Sequence, residues 1–397
     1  MFDQNEHWIP KPTEHTRCAV CEGEDSVEVS SVGRNGIAVR NVACKECGLV
    51  YVNPRPTADA MAEFYRSKYR YQHLLPMRMR DGRMAQAGTP EFEDALMYRA
   101  EILATNALGG GMVQAGDLVL DVGCRRGDVL AVMNQSVPIE MHGIEPDVQS
   151  SIDAEAQGVT MHNGVMETYE PGEVRFDQIQ IFHVLEHIHD PIDALTRLRG
   201  WLKPRGRLVI DVPDTDQPYG GLGFFFQYPH LYSFSAQSLG ALLKRAGFQV
   251  VAVGKGATLF VVAVPAPLVE AVPVRYSRAQ LGDNPLDGEQ VASRLQLYDA
   301  LETGKNLVQS GADVPVDVLC RIVGLPALQP PVETEQTHLF RSTVMIAGTW
   351  LKAGRRDDAL RLLKAGRDGP RCAAVRRGFE RVLREMLMSA SSPRLQV

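Results

Sequence analysis

Short apolar runs alternate with amphipathic stretches from Asp117 onward, and this alternation constrains the fold more than any other feature. Stretches with helical periodicity surround GDVLAVMNQS, DVQSSIDAEAQ, DPIDALTRLRGWL and SAQSLGALLKRAG. The apolar runs are LVLDVG, MHGIEP, VTMHNG, DQIQIFHV, RLVIDVP, FQVVAVG and TLFVVAV. This order predicts an α/β domain built on a doubly wound, mostly parallel sheet. Because only KGA separates the last two runs, we expect them to pair as an antiparallel hairpin.

Four of the seven cysteines form two C-x-x-C knuckles, CAVC and CKEC, which are separated by 22 residues. The paired thiolates of Cys18, Cys21, Cys44 and Cys47 match the tetrahedral preference of zinc. The runs SVEVSSVG and IAVRNVA predict a hairpin between the knuckles. The alternatives are four unrelated cysteines and a redox pair, but a redox pair expects a βαβ context that is absent here. We therefore predict a structural Zn²⁺ site.

Composition and charge limit which functional classes this protein can belong to. The formal net charge of -6 gives no global attraction for nucleic acids, so a nucleic-acid role would need a local basic patch. The N-terminus has no basic start followed by an apolar core, and no stretch reaches the roughly 18 apolar residues of a membrane span. We expect a cytoplasmic protein without a membrane span.

The segment LDVGCRRG carries the glycines of a tight strand-to-helix turn, Gly123 and Gly127. Arg125 occupies the middle position, where nucleotide-binding loops often have glycine. Glu145 closes the second strand 24 residues after Asp121, where an acid can accept hydrogen bonds from ribose hydroxyls. The loop and the acid together predict a nucleotide-like cofactor. A loop that has lost its cofactor is the alternative.

Five ordered motifs, LDVGCRRG, GIEPD, FDQIQIFHVLEHIHDPIDAL, LKPRGRLVIDVP and HLYSFSAQSLGALLKRAGF, resemble those of class I S-adenosylmethionine-dependent methyltransferases. The resemblance covers roughly residues 111–266. Together with the knuckles and CGLVYVNPRP, the first two-thirds of the chain resembles zinc-carrying methyltransferases of bacterial sugar and polysaccharide pathways, including deoxysugar C-methyltransferases. It implies a Rossmann-like fold with a seven-stranded sheet. It also implies S-adenosylmethionine held by Asp121, Gly123, Cys124, Gly127, Glu145, Pro146 and His183.

The stretch HVLEHIHDP follows the fourth strand, where such enzymes place substrate chemistry. The resemblance to the sugar C-methyltransferases implies that His187 removes a carbon-bound proton next to a ketone of the acceptor, with Glu186 as its catalytic neighbour. In ubiquinone-pathway O-methyltransferases a related Glu-His pair instead helps to hold a divalent cation, but His183 stands where those enzymes have a further acid. A structural alternative is that Glu186 and His187 cap the following helix.

Aromatic segments supply the candidate acceptor contacts. Tyr65 and Tyr69 lie among basic residues in a predicted helix, which is either a patch for a phosphorylated or sugar substrate or a solvated surface. The run QPYGGLGFFFQYPHLYSF contains His230 and Tyr232. It is either a mobile lid over the site or a buried hydrophobic loop.

The length of 397 residues exceeds what one core usually organises. We expect a zinc module (1–56), a helical connector or substrate cap (57–110), the methyltransferase domain (111–266) and an all-helical domain (267–397). The last could bind a protein partner or a second copy. The leading function is methyl transfer to a small polar acceptor, a sugar nucleotide or glycan. The alternatives are an RNA methyltransferase and a non-catalytic scaffold.

Overall fold

The computed structural model describes residues 11–67, 77–81, 83–86, 89–109, 112–255, 258–266, 287–324, 333–368 and 378–383. The strands in these ranges are β1 (Thr13–Glu14), β2 (Ser26–Val32), β3 (Ala38–Cys44), β4 (Val50–Val52), β5 (Arg55–Pro56), β6 (Met77–Arg78), β7 (Met84–Ala85), β8 (Leu118–Val122), β9 (Glu140–Glu145), β10 (Thr160–Asn163), β11 (Phe176–Phe182), β12 (Leu202–Val212), β13 (Tyr232–Ser233), β14 (Phe248–Lys255) and β15 (Leu259–Pro265). The α-helices are α1 (Ala58–Ser67), α2 (Pro90–Leu108), α3 (Asp128–Ser136), α4 (Val148–Ala156), α5 (Pro191–Trp201), α6 (Leu222–Phe225), α7 (Ala236–Arg245), α8 (Gly288–Gln309), α9 (Val316–Gly324), α10 (Glu333–Lys352) and α11 (Arg356–Asp368).

The described residues divide into two compact units. The first contains the described residues within 1–22, 54–213 and 236–274, and the second contains those within 23–53, 214–235 and 275–397. The domain boundaries expected from the sequence, after residues 56, 110 and 266, stay predictions.

The first unit is built on a seven-stranded sheet with the order β10-β9-β8-β11-β12-β15-β14. The strands from β10 to β12 in that order pair in parallel. β15 runs antiparallel to both β12 and β14. The seven predicted strands, the terminal hairpin and the Rossmann-like class are therefore confirmed.

The central strands of this sheet form because their apolar runs are almost continuous. Val119, Ile179 and Ile210, one from each of β8, β11 and β12, have no exposed surface. Such runs are typical of parallel strands that are covered on both faces. Gln178 and Gln180 interrupt the pattern in β11, and the amide of Gln178 donates to Oε1 of Gln180 at 3.2 Å.

Aspartates set the starts of two helices that follow strands. The side chain of Asp147 accepts the Ser150 N–H at 2.9 Å at the start of α4. At the start of α5, the side chain of Asp190 accepts the Asp193 N–H at 3.0 Å. Such caps satisfy N–H groups that have no partner inside the helix. Asp190 therefore caps α5, and the alternative that Glu186 and His187 cap it is wrong.

The second unit contains an antiparallel sheet with the order β13-β4-β3-β2. The predicted hairpin between the cysteine knuckles is β2 and β3. Phe225 and Phe226 of the aromatic run are 2% exposed and pack in a cluster that includes residues of β2, β3, β4 and α8. The buried-loop interpretation of these two rings is confirmed. Phe224 is half exposed, and the Arg34 guanidinium lies 4.3 Å from its ring centroid.

The secondary-structure elements described in the C-terminal part of the second unit are all helices, as predicted. Trp350 on α10 and Leu362 and Leu363 on α11 are almost fully buried in one apolar cluster. The guanidinium of Arg355 lies 4.7 Å from the Trp350 ring centroid. Among the described helices, none is long and apolar enough to cross a membrane. A protein partner or self-association through these helices stays a prediction.

Candidate cofactor site and the cysteine cluster

Four strands of the first unit end at neighbouring points on one edge of the sheet. Val122 at the end of β8 pairs with Ile144 of β9 and with Ile181 of β11. Phe182 at the end of β11 pairs with Asp211 of β12. The chain order reverses at β8, and ligands of open α/β sheets bind beyond the carboxyl ends of strands at such a point. The predicted cofactor residues lie at this edge.

Gly123 and Gly127 both adopt left-handed backbone conformations, with φ of 76° and 77°. A Cβ atom on Gly123 would lie 2.5 Å from Cγ2 of Val184. A Cβ atom on Gly127 would lie 2.9 Å from Cγ2 of Val159. Both positions therefore need glycine for conformation and for space.

Arg125 is also left-handed, with φ of 51°. A residue with a side chain is strained there, by about 1–2 kcal/mol. Its side chain is exposed, and its backbone N–H donates to Oε2 of Glu145 at 3.0 Å. Arg125 in place of the middle glycine therefore strains the backbone, but its exposed side chain does not occupy the turn.

Glu145 is held by two backbone groups at the end of β9. Its Oε2 accepts the Arg125 N–H, and its Oε1 accepts the Asp147 N–H at 2.9 Å. A carboxylate offers about four acceptor positions, so it retains capacity for hydroxyl donors of a ligand. Burial raises the pKa of Glu145 and outweighs the two backbone hydrogen bonds, which lower it.

Asp121 lies in β8 and is 2% exposed. Burial raises the pKa of Asp121 to about 7. The side chain of Gln180 opposes this shift in pKa, and the negative charge of Glu145 adds to it. A cationic group of a ligand would restore the ionised carboxylate.

Cys124 and Pro146 flank these two acids. The Cys124 sulfur is buried 3.7 Å from the sulfur of Met161, and burial raises the pKa of the thiol. Pro146 is exposed, and its carbonyl accepts a hydrogen bond of 3.4 Å from the Asn163 amide. Cys124 thus packs in the apolar core next to the turn.

The segment after β11 brings together His183, Glu186 and His187. Nδ1 of His183 lies 3.5 Å from Oε1 of Glu186, and Nε2 of His187 lies 3.9 Å from the same oxygen. Nε2 of His183 lies 3.0 Å from Oδ1 of Asp211. Sequence reasoning missed Asp211. The acid inside the apolar run RLVIDVP is the signal that could have found it.

The predicted acceptor residues are placed as follows. Tyr65 belongs to α1, of which only the backbone is described at this position, and Tyr69 lies outside the described residues. His230 is buried, and its Nε2 lies 2.8 Å from Nε2 of Gln227. Tyr232 is buried in β13 and stacks on Phe234 with ring centroids 6.0 Å apart.

The four knuckle cysteines form one cluster, as the sequence predicts. All four are buried, and their sulfur atoms lie within 4.8 Å of one another. Zinc in a tetrahedral thiolate site is bound at about 2.3 Å, which sets sulfur atoms about 3.8 Å apart. The donor set therefore fits a zinc ion.

Each of the two knuckles contains a turn of the same kind. The Cys18 carbonyl accepts the Glu22 N–H at 2.9 Å, and the Cys44 carbonyl accepts the Gly48 N–H at 2.9 Å. Glu22 and Gly48 are both left-handed, with φ of 60° and 70°. The repeated turn is consistent with two halves of one metal site.

Comparisons with known proteins agree with this geometry. Residues 84–253 match the family model described as a methyltransferase domain. The tRNA U34 carboxymethyltransferase of Helicobacter pylori (strain G27) is 33% identical over 110 residues, which cover 25% of this chain and 42% of that protein. The chain thus spans less than half the length of this curated relative.

Two solved structures illustrate the likeness. One is a chain of the complex between the Trm112 methyltransferase activator of Haloferax volcanii and a methyltransferase. The two chains are 16% identical, the match covers 45% of this chain and 95% of that chain, and the TM-score is 0.39. The other is the plantazolicin methyltransferase BpumL in complex with SAH, with 12% identity, 52% and 94% covered, and a TM-score of 0.40. From the family match and the sheet, residues 84–253 are a methyltransferase domain of the class I, S-adenosylmethionine-dependent type.

Proposed function

We propose that this protein transfers a methyl group from S-adenosylmethionine to a small polar acceptor, a sugar nucleotide or glycan. The observation that carries the proposal is the Glu145 carboxylate, oriented by two backbone N–H groups beside the glycine turn at the switch point of the sheet. A buried acid held in this way is suited to the paired hydroxyls of a ribose.

The cofactor contacts follow from the geometry of the turn. Gly123 and Gly127 permit close approach of the backbone, and Glu145 accepts from the ribose. Asp121 is suited to the cofactor's amino group, since a cation would stabilise its ionised form. When bound, S-adenosylmethionine supplies a methyl group attached to a sulfonium sulfur; the acceptor attacks the methyl carbon, and the electron pair of the broken carbon–sulfur bond stays on the sulfur.

His187 is the proposed general base. It accepts the proton that the acceptor loses as the new bond to carbon forms. Glu186, whose side chain is 1% exposed, lies next to the imidazole as its orienting or substrate-binding neighbour. Imidazole has a proton affinity suited to this role near neutral pH.

The nature of the acceptor rests on charge and on resemblance. The net charge of -6 disfavours a polyanion, and the cysteine knuckles with CGLVYVNPRP resemble sugar-pathway methyltransferases. Tyr65, Tyr69, His230 and Tyr232 remain candidate acceptor contacts to be tested singly. The second candidate acceptor is a tRNA, because the curated relative is named as a tRNA-modifying enzyme.

Zinc belongs to this proposal as a structural ion. Cys18, Cys21, Cys44 and Cys47 would hold it, and four thiolates leave no position for a substrate. A cytoplasmic location fits, because a reducing environment keeps thiols available as metal ligands.

The test is mass spectrometry of extracts incubated with the protein and S-adenosylmethionine. A gain of about 14 Da in a small polar metabolite or glycan that requires both supports the proposal. A gain confined to tRNA nucleosides selects the second acceptor. A protein that modifies no fraction contradicts the proposed activity.

The same assay tests the base. His187→Ala should lower turnover by about 10²-fold, the usual contribution of a positioned base, with cofactor affinity unchanged. His142→Ala is the matched control, because His142 lies in β9 with its ring against Phe176. Full activity of His187→Ala would remove His187 from the mechanism.

A further inference from the structure

His183 holds a strained conformation at the carboxyl end of β11. Its φ is 54°, in the left-handed region that disfavours residues with a side chain. Strain of this kind costs about 1–3 kcal/mol and persists where surrounding contacts fix it. The contacts that fix His183 are therefore informative about its role.

Both ring nitrogens of His183 face carboxylates. Nε2 lies 3.0 Å from Asp211, and Nδ1 lies 3.5 Å from Glu186. Both acids have side chains that are 1% exposed. A carboxylate close to an imidazole favours its protonated form through charge attraction. The two acids therefore favour the charged ring.

Further contacts hold this arrangement in place. The backbone N–H of His183 donates to the Asp211 carbonyl at 2.8 Å. The Thr258 hydroxyl donates to Oδ2 of Asp211 at 2.8 Å. Asp211 is thus oriented by Thr258 while its other oxygen faces the imidazole. The ring of His183 is fixed by its own backbone and by its partner.

Charges around His183 act in both directions. Burial and the positive charge of Arg99 on α2 lower the pKa of His183. The nearby carboxylates of Asp211 and Glu186 outweigh them, so the pKa of His183 is raised above its usual value.

Glu186 stands between two imidazoles. Its Oε1 lies near both His183 and His187, at 3.5 Å and 3.9 Å, so the two facing nitrogens are at most 7.4 Å apart. A carboxylate beside a base has a cost for catalysis, because it favours the protonated imidazole, which cannot accept a proton. A positive charge on the far side of the carboxylate offsets this effect.

We propose that His183 is a positioning residue whose positive charge offsets the Glu186 carboxylate, so that His187 is left neutral to accept a proton from the methyl acceptor. Asp211 is its counter-ion. The inference rests on the proposed function for its catalytic meaning, but the charge coupling among the three side chains can be measured without turnover.

The experiment is an NMR titration of the full chain labelled with ¹⁵N-histidine. Assignment uses His183→Asn and His187→Ala. Asparagine tolerates the left-handed conformation and keeps a donor, but it carries no charge. In His183→Asn, the titration midpoint of His187 should rise by about half to one pH unit, the order expected for a unit charge at this distance.

A second variant makes the test independent of that substitution. Glu186→Gln removes the carboxylate and leaves His183, so the midpoint of His187 should fall below that of the wild type. Shifts of opposite sign are not expected from loss of packing alone. His142→Asn, a histidine of the same sheet, should leave the midpoint in place. An unchanged or lowered midpoint in His183→Asn, or an unchanged one in Glu186→Gln, overturns the proposal.

Activity supplies an independent readout. With a methylated acceptor in hand, the acidic limb of kcat/KM should move to higher pH in His183→Asn, with turnover recovering at alkaline pH. Wild-type protein that methylates nothing contradicts the proposed function. The titration then still tests the charge coupling among the three side chains, because it does not depend on turnover.

Discussion

Asp121→Asn should stabilise the ligand-free protein at pH 8 and weaken cofactor binding. The Asp121 carboxylate is 2% exposed, and ionising it there is unfavourable. Asparagine has nearly the same shape and keeps a carbonyl oxygen that can accept a hydrogen bond. The substitution therefore removes a buried charge while it keeps the packing of β8.

The magnitude follows from the pKa of Asp121, which burial raises from 3.8 to about 7. A tenfold change in an acid dissociation constant corresponds to about 1.4 kcal/mol, so the upper limit is about 4 kcal/mol. Because the folded-state pKa is raised, the contribution of Asp121 to stability is complete below about pH 4 and is lost as the pH rises through 7. The advantage of the variant should grow between pH 4 and pH 7 and stay level above pH 8.

Urea unfolding without cofactor, at pH 5 and pH 8, is the measurement. Asp94→Asn, at an exposed position on α2, controls for the change of net charge. Calorimetry with S-adenosylmethionine should show weaker binding to Asp121→Asn at pH 8. A variant that is no more stable than the wild type at pH 8, or a gain that is independent of pH, would refute the reasoning.

Three further substitutions test separate parts of the structure. Arg125→Gly should change the free energy of unfolding by less than about 1 kcal/mol, since relief of backbone strain offsets the added freedom of the unfolded chain. A larger loss of stability in urea unfolding would mean that the Arg125 side chain has a structural role. Cys44→Ser should abolish stoichiometric zinc in metal analysis while Cys320→Ser retains one ion per chain, and equal zinc in both would contradict the cluster. Asp190→Ala should cost about 1 kcal/mol through loss of the α5 cap, and an unchanged midpoint in urea would count against it.

Local patterns predict most of the first unit. Apolar runs and their spacing locate all seven strands, and LDVGCRRG locates the turn whose glycines are both left-handed. These features depend on a few consecutive residues. The position of Glu145 at the end of β9 follows from the same strand pattern.

The rest depends on contacts between residues that are distant in sequence. Asp211 meets His183 only because β11 and β12 pair in a register that sets Phe182 beside Asp211. The sequence of the aromatic run QPYGGLGFFFQYPHLYSF is compatible with both a lid and a buried loop. The packing of Phe225 and Phe226 in the second unit decides between these two interpretations for those rings. Neither the register nor this packing can be read from the local sequence.

Calorimetric titration with S-adenosylhomocysteine tests the central claim most directly. The wild type should bind one ligand per chain, and Glu145→Ala and Glu145→Gln should lose at least about tenfold in affinity, as expected when charge-assisted hydrogen bonds are removed. Glu140→Ala, at an exposed position on the same strand, should bind as the wild type does. Thermal unfolding of each variant verifies that it is folded. Folded Glu145 variants with wild-type affinity, or a wild type that binds no ligand, would contradict the account.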